Sequence, residues 1–542
     1  MMKGASATLH ALVLVIVAGC QGHAFADSPW GVSSSSALSA NPQEWLEAMK
    51  AAGATRVRGY DYRRGIVGLT PFRDAGVAVT GILMWSPKRP RSMPVYDIEG
   101  FRSYVLQTVR TYGSYIKHWE VWNEPPNGTA DTSPASYAKI VAVAYDAAKS
   151  VDPKLQIGLA TKSVHLRFLE EAISAGAKGK FDFVTLHPYE TAELLAEGWE
   201  LPFLGIGANL RAMLRAKNPD KQNVPVWFSE IGVEVGRKRD EAQQAASLVK
   251  IYVLALAQHI DHIHWFDPRD SEGKHHGLLR RDGSKRPAYH ALGALTRALG
   301  RKPELKGFLS LTEHSYGFLF KGRDGDVLVA WMRPGAPASA ALPLVASSVD
   351  FTTGKAGKLN QLVLTGEPVL LLAASESNTA LSWRAKAATT VPAAWSCSSP
   401  HFSAGEPQCG VHIVGPAQVT QGASGAEISL AGRNGARFAV DPQVIGYADH
   451  KLEISLVVRG HGRGEPGFNL KYEAERPLTR VNDNGMVGAG GWNHIRGEEP
   501  TTLRWTVDDA RFVGKYGINL AIECDSSKFC DFSVLRLNIK KR

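Results

Sequence analysis

At 542 residues the chain is too long for one ordinary domain and predicts two to four. Its 44% hydrophobic and 21% charged residues exclude overall disorder. A net charge of +10 without a dense Lys/Arg stripe or recognition motif argues against nucleic acid as a partner. The charge reads as solubility spread over a large surface, with attraction to an anionic polysaccharide as the sharper alternative.

The first 26 residues predict a signal peptide. Lys3 precedes an apolar stretch from Ala11 to Gly19, too short for a membrane span. Two cleavage sites compete. Ala24-Phe25-Ala26 fits the small-x-small rule, and Val17-Ala18-Gly19-Cys20 is similar to a bacterial lipobox, which would make Cys20 a lipidated, membrane-anchored N-terminus. The second is preferred because the cysteine closes the apolar core. The expected location is therefore beyond the inner membrane: periplasmic, anchored at the outer membrane, or extracellular. No later segment is long and apolar enough to cross a membrane.

Residues 27–300 alternate short apolar strands with amphipathic helices, the pattern of a parallel sheet with crossover helices. Eight strands are predicted: Trp30–Ser33, Thr55–Tyr60, Val77–Met84, Ile116–Asn123, Leu155–Ala160, Phe181–His187, Val224–Glu230 and His259–Phe266. Helices are predicted at Pro42–Ala52, Ser136–Val151, Ala208–Lys217, Glu241–Ala257 and Arg286–Leu299. Eight such units in this length predict an α/β fold of the (β/α)8 TIM-barrel type. A doubly wound open sheet is the alternative, and no GxGxxG follows an early strand to support it.

Residues 301–378 lose helical periodicity and predict a small accessory β-sandwich, with strands at Tyr316–Phe320, Asp326–Met332, Gln361–Leu364 and Pro368–Ala373. Residues 376–390 read as a linker. Residues 385–542 predict a second, jelly-roll-like β-sandwich, read as a separable, carbohydrate-binding or anchoring module. Its strands fall at Lys451–Arg459, Gly467–Ala474, Thr501–Val507, Gly517–Glu523 and Phe532–Ile539. Trp492, Trp505, Tyr472 and Tyr516 there could stack on sugars, but most aromatics of a sandwich are core. Besides Cys20, the cysteines are Cys397, Cys409, Cys524 and Cys530. Four cysteines in an exported chain suggest disulfides in any of three pairings; the local ones, Cys397–Cys409 and Cys524–Cys530, are favoured because each closes a short loop.

Two segments carry the chemistry. Trp119-Glu120-Val121-Trp122-Asn123-Glu124-Pro125 and Val226-Trp227-Phe228-Ser229-Glu230-Ile231-Gly232 each read as a buried strand that stops at a glutamate. The C-terminal ends of barrel strands form the face where such folds do chemistry. Two carboxyls meeting there suit glycoside hydrolysis: one protonates the leaving oxygen, and the other attacks the sugar or activates water. A bare Asn-Glu-Pro more often starts a helix, and a lone Glu more often lies on a surface. Joint placement on strands four and seven favours catalysis.

With Leu186-His187-Pro188-Tyr189, Gly277-Leu278-Leu279 and Arg286-Pro287-Ala288-Tyr289 added, the chain resembles the clan A retaining glycosidases, most of all glycoside hydrolase family 39 with its bacterial exopolysaccharide and biofilm enzymes. The resemblance spans about residues 28–375. It implies Glu124 as acid/base, Glu230 as nucleophile, Asn123 on the sugar 2-hydroxyl, Tyr189 bonded to Glu230, and His187 orienting the site. It further implies Trp265 as an aromatic platform under the sugar, with a place in the core as the alternative, and Arg58 holding Glu230 ionised, with a structural ion pair as the alternative, and it implies no cofactor and no metal. Strand one departs from the family: Val32-Ser33-Ser34-Ser35-Ser36 stands where a sugar-binding histidine is common.

Other residues are weaker candidates. His262 and His264 alternate with Trp265 and are expected to point away from the site as core histidines. His275 and His276 are expected on the loop after strand eight, and Trp85, Arg269 and Asp270 near the cleft. The implied activity is endo-cleavage of a bacterial exopolysaccharide. The alternatives are a transglycosylase, a catalytically silent polysaccharide-binding protein of a secretion or biofilm system, and a metal-dependent barrel hydrolase, for which clustered ligands are lacking.

Overall fold

The structure, a computed structural model, describes residues 28–35, 41–59, 65–89, 91–128, 130–271, 273–333, 339–342, 346–392, 401–404, 410–415, 417, 419–422, 425–462, 466–474, 485–515, 517–524 and 530–542. Eight parallel strands close a barrel in sequence order: β1 (Trp30–Ser33), β2 (Arg56–Arg58), β3 (Ala78–Leu83), β4 (His118–Val121), β5 (Gln156–Lys162), β6 (Phe183–His187), β7 (Val226–Ile231) and β8 (His262–Phe266). Closure comes from β1 against β8, with Trp30 opposite Ile263 and Ser33 opposite Phe266.

The two-residue period of the strands explains the barrel's two faces. Val32, Val57, Val79, Val121, Leu159, Val184, Phe228, Ile263 and Trp265 join the apolar cluster shared with the surrounding helices. The alternate residues fill the barrel. Arg56 lies 5.0 Å over the Trp227 ring, and His118 and His262 pack on the same ring at 5.1 and 4.5 Å. Burial drives the His118 and His264 imidazoles well below their ordinary range, which keeps them neutral beside Arg56.

This register corrects one expectation. His262 and His264 are core histidines, but they point into the barrel, so it is Trp265 that points away from it. The predicted strands begin one to three residues early from β2 onward. Strand β4 ends at Val121, so Asn123 and Glu124 belong to the following turn, not to a helix; the next helix starts at Pro134. Tyr60, the predicted end of β2, lies outside the described residues.

The accessory region is built, as expected, from antiparallel β-structure: one six-stranded sheet and one two-stranded ribbon. Its central strands, Ser315–Lys321 and Gly325–Met332, are buried on both faces. Phe318, Phe320, Val327, Val329 and Trp331 join the barrel's cluster, while Leu319, Leu328, Ala330 and Met332 form a second one. A two-stranded ribbon and the helix Asn378–Lys386 contribute to that second cluster through Leu342, Leu364, Ala380 and Trp383. The helix occupies the expected linker. Its Ser377 hydroxyl accepts from the Ala380 N–H as an N-cap, and the residues after it favour helix.

The C-terminal region is a two-sheet antiparallel sandwich. Tyr472 and Trp505 lie in its core. Trp492 is 41% exposed, and Tyr516 lies outside the described residues. Cys524 and Cys530 are disulfide-bonded; Cys20, Cys397 and Cys409 lie outside the described residues. Among the described residues no helix is long and apolar enough to cross a membrane.

The sandwich is not a loosely tethered module. On the barrel, Glu170 accepts from Arg511 Nη1 at 2.8 and 2.9 Å and from the Tyr447 hydroxyl at 2.7 Å. Arg167 donates to the Ala474 carbonyl at 2.7 Å, and Asn209 accepts from the Tyr447 N–H at 2.7 Å. Arg167, Glu170 and Arg511 are all buried. Charged groups removed from water in this way must keep their partners, which ties the sandwich to the barrel.

Candidate active site

The turn after β4 delivers Glu124. The Trp122 N–H extends the ladder to Leu83 O at 3.0 Å, and the chain then reverses sharply. Trp122 and Glu124 adopt φ of 67° and 52°, the left-handed region that side chains disfavour. Such strain persists only where surrounding bonds fix it. Here Trp122 Nε1 donates to Asn127 O at 3.1 Å, the Asn127 side chain donates to Glu124 Oε2 at 3.3 Å, and Pro125 O accepts from the Lys162 N–H at 2.9 Å. Below the turn, the buried Tyr137 hydroxyl pins β4 to β5. It donates to Val121 O at 3.0 Å and accepts from the Ala160 N–H at 2.7 Å.

Strand β7 delivers Glu230 by a different device. Its register against β8 shifts between Phe228 and Ile231. A strand irregularity of this kind breaks the two-residue alternation and re-aims a side chain. Consecutive residues Ser229 and Glu230 thus both face the barrel's open end, where Ser229 meets His187 and Glu230 meets Arg58 and Tyr189.

The two carboxylates come together from positions 106 residues apart. One oxygen of Glu124, one of Glu230 and a ring nitrogen of His187 lie within 4.8 Å of one another. Glu230 Oε2 accepts from Arg58 Nη1 at 2.7 Å, and its Oε1 accepts from the Tyr189 hydroxyl at 2.8 Å. Arg58 also donates from Nη2 to Asn123 Oδ1 and from Nε to Glu120 Oε2, each at 2.7 Å. On the other side, His187 Nδ1 lies 3.0 Å from Glu124 Oε1 and its Nε2 lies 3.0 Å from Ser229 Oγ.

The electrostatics follow from these contacts. Burial of Glu124 favours its neutral acid, but the hydrogen bond and charge of His187, with Arg58 and Lys162 behind it, prevail and hold the carboxyl down at about 2. Burial alone would lower Arg58, but Glu120 and Glu230 outweigh it and raise the guanidinium further. Burial and the Glu230 carboxylate push the Tyr189 phenol well up, so it stays a donor. The trio Glu124, His187 and Glu230 has the donor spacing of a metal site. The Arg58 guanidinium, 2.7 Å from Glu230, already stands where a cation would, and its charge opposes a second one.

Of the predicted residues, Glu124, Glu230, Asn123, His187, Tyr189 and Arg58 converge on this one site. Trp265 does not. It is fully buried and donates from Nε1 to His276 O at 2.9 Å, so no ring face is free for a ligand. Phe266, one residue on, is the aromatic at the site: partly exposed and edge-on to Tyr189 (6.4 Å, 83°) and His276 (5.7 Å, 68°). The weaker candidates are tied elsewhere. Asp270 binds Arg286 at 2.7 Å, Arg269 pairs with Glu44 at 2.5 Å, and Trp85 stacks on Tyr104. His275 is half exposed beside Asp270 at 3.2 Å.

Residues absent from the predicted set are Glu120, Ser229, Phe266 and Asp267. A charge inside the apolar run of β4 was the available signal for Glu120. For Asp267, fully buried behind Phe266, desolvation outweighs its bonds from Ser271 Oγ and the Arg269 N–H and pushes its carboxyl up to about 7.

No protein-family profile matches the sequence, and no curated protein sequence matches it. Solved structures do. A family 39 glycoside hydrolase from the gut symbiont Bacteroides cellulosilyticus aligns at a TM-score of 0.51 and 18% identity, over 64% of this chain and 81% of that one. A monomeric beta-xylosidase from Caulobacter crescentus aligns at 0.43 and 13%, over 94% and 96%. A GH30 endoxylanase from Clostridium papyrosolvens aligns at 0.46 and 11%, over 64% and 96%. At these identities the first likeness is one of fold, and the other two bear no weight.

Proposed function

We propose that the chain is a retaining glycoside hydrolase acting on a polysaccharide. The observation that carries this reading is the approach of one Glu124 oxygen and one Glu230 oxygen to within 4.8 Å. Retaining enzymes hold their carboxyls about 5–5.5 Å apart, whereas inverting enzymes leave about 6.5–9.5 Å for a water.

Glu230 is the nucleophile. Arg58 and Tyr189 aim both of its oxygens, and it forms the glycosyl ester at the anomeric carbon. Glu124 delivers a proton to the leaving oxygen and then, as a base, activates the water that hydrolyses the ester. His187 is its proton partner. Asn123, fixed by Arg58, is set to bond the sugar 2-hydroxyl, and Phe266 takes the platform role expected of Trp265. The finer reading is endo-cleavage of a bacterial exopolysaccharide by an exported, lipid-anchored enzyme; the lipobox-like segment and the surplus of basic residues support it.

The test uses activated 2-deoxy-2-fluoro glycosides of glucose, xylose, galactose and glucuronic acid, with intact-mass and peptide analysis. One of them is expected to label Glu230, and Glu230→Gln is expected to block labelling while the fold persists, because an amide is a poor nucleophile. Labelling of Glu230→Gln, or an inverted anomer as first product, overturns the assignment.

A further inference from the structure

Beside the contact between barrel and C-terminal sandwich lies a groove that the catalytic reading does not use. The contact itself is close. A Cβ on Gly205 would stand 1.9 Å from Pro442 of the sandwich, and one on Gly517 would stand 2.1 Å from Leu194 on the helix Tyr189–Ala196. Next to these points the surfaces part and leave a groove of about 730 Å³. Glu197, Trp199, Lys238 and Gln243 line it from the barrel, and Ile413 and Val419 from the sandwich. Packed interiors leave few voids larger than a water, and this volume falls in the range of ligand sites.

Two chain segments lead from the nucleophile to the groove. Tyr189, which donates to Glu230, opens the helix whose last residue, Ala196, lines the groove. At about 1.5 Å of rise per residue, its eight residues carry the chain roughly 10 Å. The strand that bears Glu230 continues into the loop that supplies Lys238 and Arg239. Arg239 is buried and locks the two segments together. It donates to Glu193 Oε2 at 3.0 Å on the helix and to the Glu234 carbonyl at 3.1 Å in its own loop. The groove therefore stands at a fixed place relative to the catalytic carboxylates, beyond the reach of a single sugar unit bound between them.

Its chemistry suits a sugar. The faces of a pyranose ring are C–H surfaces, and Trp199, Ile413 and Val419 give an apolar wall, with Val419 38% exposed. The hydroxyls around the ring both donate and accept. Glu197 accepts and Lys238 donates. These two lie 3.5 Å apart, and Lys238 is 82% exposed, so the pair holds little energy and both groups can turn to a hydroxyl. Gln243 Oε1 already accepts from the Asp240 N–H at 2.9 Å, which fixes the side chain and leaves its amide nitrogen as a donor.

We infer that this groove binds a segment of the polysaccharide several units away from the bond that is cut, and that the sandwich is fixed to the barrel to form the outer wall of that site. The inference rests on the polysaccharide reading of the catalytic centre and names a second place where the same chain is held. A chain anchored in the groove presents its remaining units to Glu124 and Glu230 at raised local concentration. A short glycoside gains nothing from it.

Two measurements test it on the full chain, with Trp199→Ala and with the exposed pair Glu197→Ala and Lys238→Ala together. The first compares kcat/KM on the polysaccharide that the wild type degrades with kcat/KM on the 4-nitrophenyl glycoside that it cleaves. Each variant is expected to lose about tenfold more on the polymer than on the glycoside, the scale of one aromatic contact, and to lose it in KM rather than in kcat. Equal losses on both substrates overturn the inference. If Trp199→Ala fails to fold, because its ring also packs on the sandwich core, the exposed pair decides.

The second needs no turnover: affinity electrophoresis of Glu230→Gln in gels cast with xylan, alginate, hyaluronate or polygalacturonate. One of these is expected to retard the protein, and the groove substitutions added to Glu230→Gln are expected to remove most of that retardation. Retardation that they leave untouched, or none in any gel, overturns the inference. A wild type that cleaves no glycoside and takes no fluoro-sugar label refutes the retaining reading instead, and a retardation lost with the groove residues then still stands as sugar binding.

Discussion

His187 Nδ1 and Glu124 Oε1 lie 3.0 Å apart, and this contact is why Glu124 is held at about 2 in the free protein. An acid catalyst so strongly ionised has to receive its proton locally, and His187 is the group in reach. His187→Gln is expected to lower kcat/KM by about 10²-fold for a substrate with a poor leaving group, and much less for a dinitrophenyl glycoside that needs no protonation. Equal losses on both substrates would place His187 outside the acid step.

The same contact links stability to pH. The folded Glu124 carboxyl sits below its ordinary 4.5. Its contribution is therefore fully present above about 4.5 and disappears as pH falls toward 2. In thermal melts across that window, His187→Gln is expected to show a shallower loss than the wild type. Parallel curves would mean that other charges set the Glu124 value.

The exchange of Trp265 for Phe266 gives a second contrast. Phe266→Ala is expected to raise KM about tenfold, the scale of one aromatic contact, with little change in melting temperature. Trp265→Phe is expected to do the reverse. It removes a buried indole and its bond to His276 O and costs about 1–3 kcal/mol of stability while KM stays near normal. A KM effect from Trp265→Phe alone would reverse the two roles.

The barrel and most of the site were legible because apolar runs, helix periods and two carboxylate motifs are local signals. What escaped has non-local causes. Strand β8 reads His-Ile-His-Trp-Phe, and period two alone does not say which set faces inward. That was settled by Trp227, Arg56 and His118 from other strands filling the interior around His262. The register shift in β7 that turns both Ser229 and Glu230 to the site depends on the pairing with β8. Glu120 is a charge inside an apolar strand, and its counter-ion, Arg58, comes from 62 positions earlier, a pairing no local pattern announces.

Asp267 predicts a pH effect of opposite sign to Glu124. Burial raises its folded value from an ordinary 3.8 to about 7. Between those values the folded protein holds a proton that the unfolded chain has released, so stability falls as pH rises, by up to about 1.36 kcal/mol per pH unit. Asp267→Asn is expected to flatten melting temperature between pH 4 and 7. A wild-type curve that rises across the whole range, unchanged in the variant, would show Asp267 to be ionised throughout.

The last prediction concerns the C-terminal sandwich, expected from sequence to be separable. Glu170 and Arg511 are buried against each other, with Tyr447 on the same carboxylate and Asp449 on the same guanidinium at 2.8 Å. Removing one member of a buried pair strands the other and costs about 3–5 kcal/mol. Arg511→Met leaves Glu170 with Tyr447 alone, so a clear drop in melting temperature is expected. The double variant Glu170→Leu with Arg511→Met is expected to recover much of it, because the one carboxylate left without Arg511, Asp449, is exposed to water and no buried charge is left uncompensated. Truncation after residue 390 exposes Arg167 and Glu170 together, and is expected to lower barrel stability and activity even on a short soluble glycoside. A truncated chain that melts like the wild type and cleaves that glycoside normally would restore the picture of an independent module.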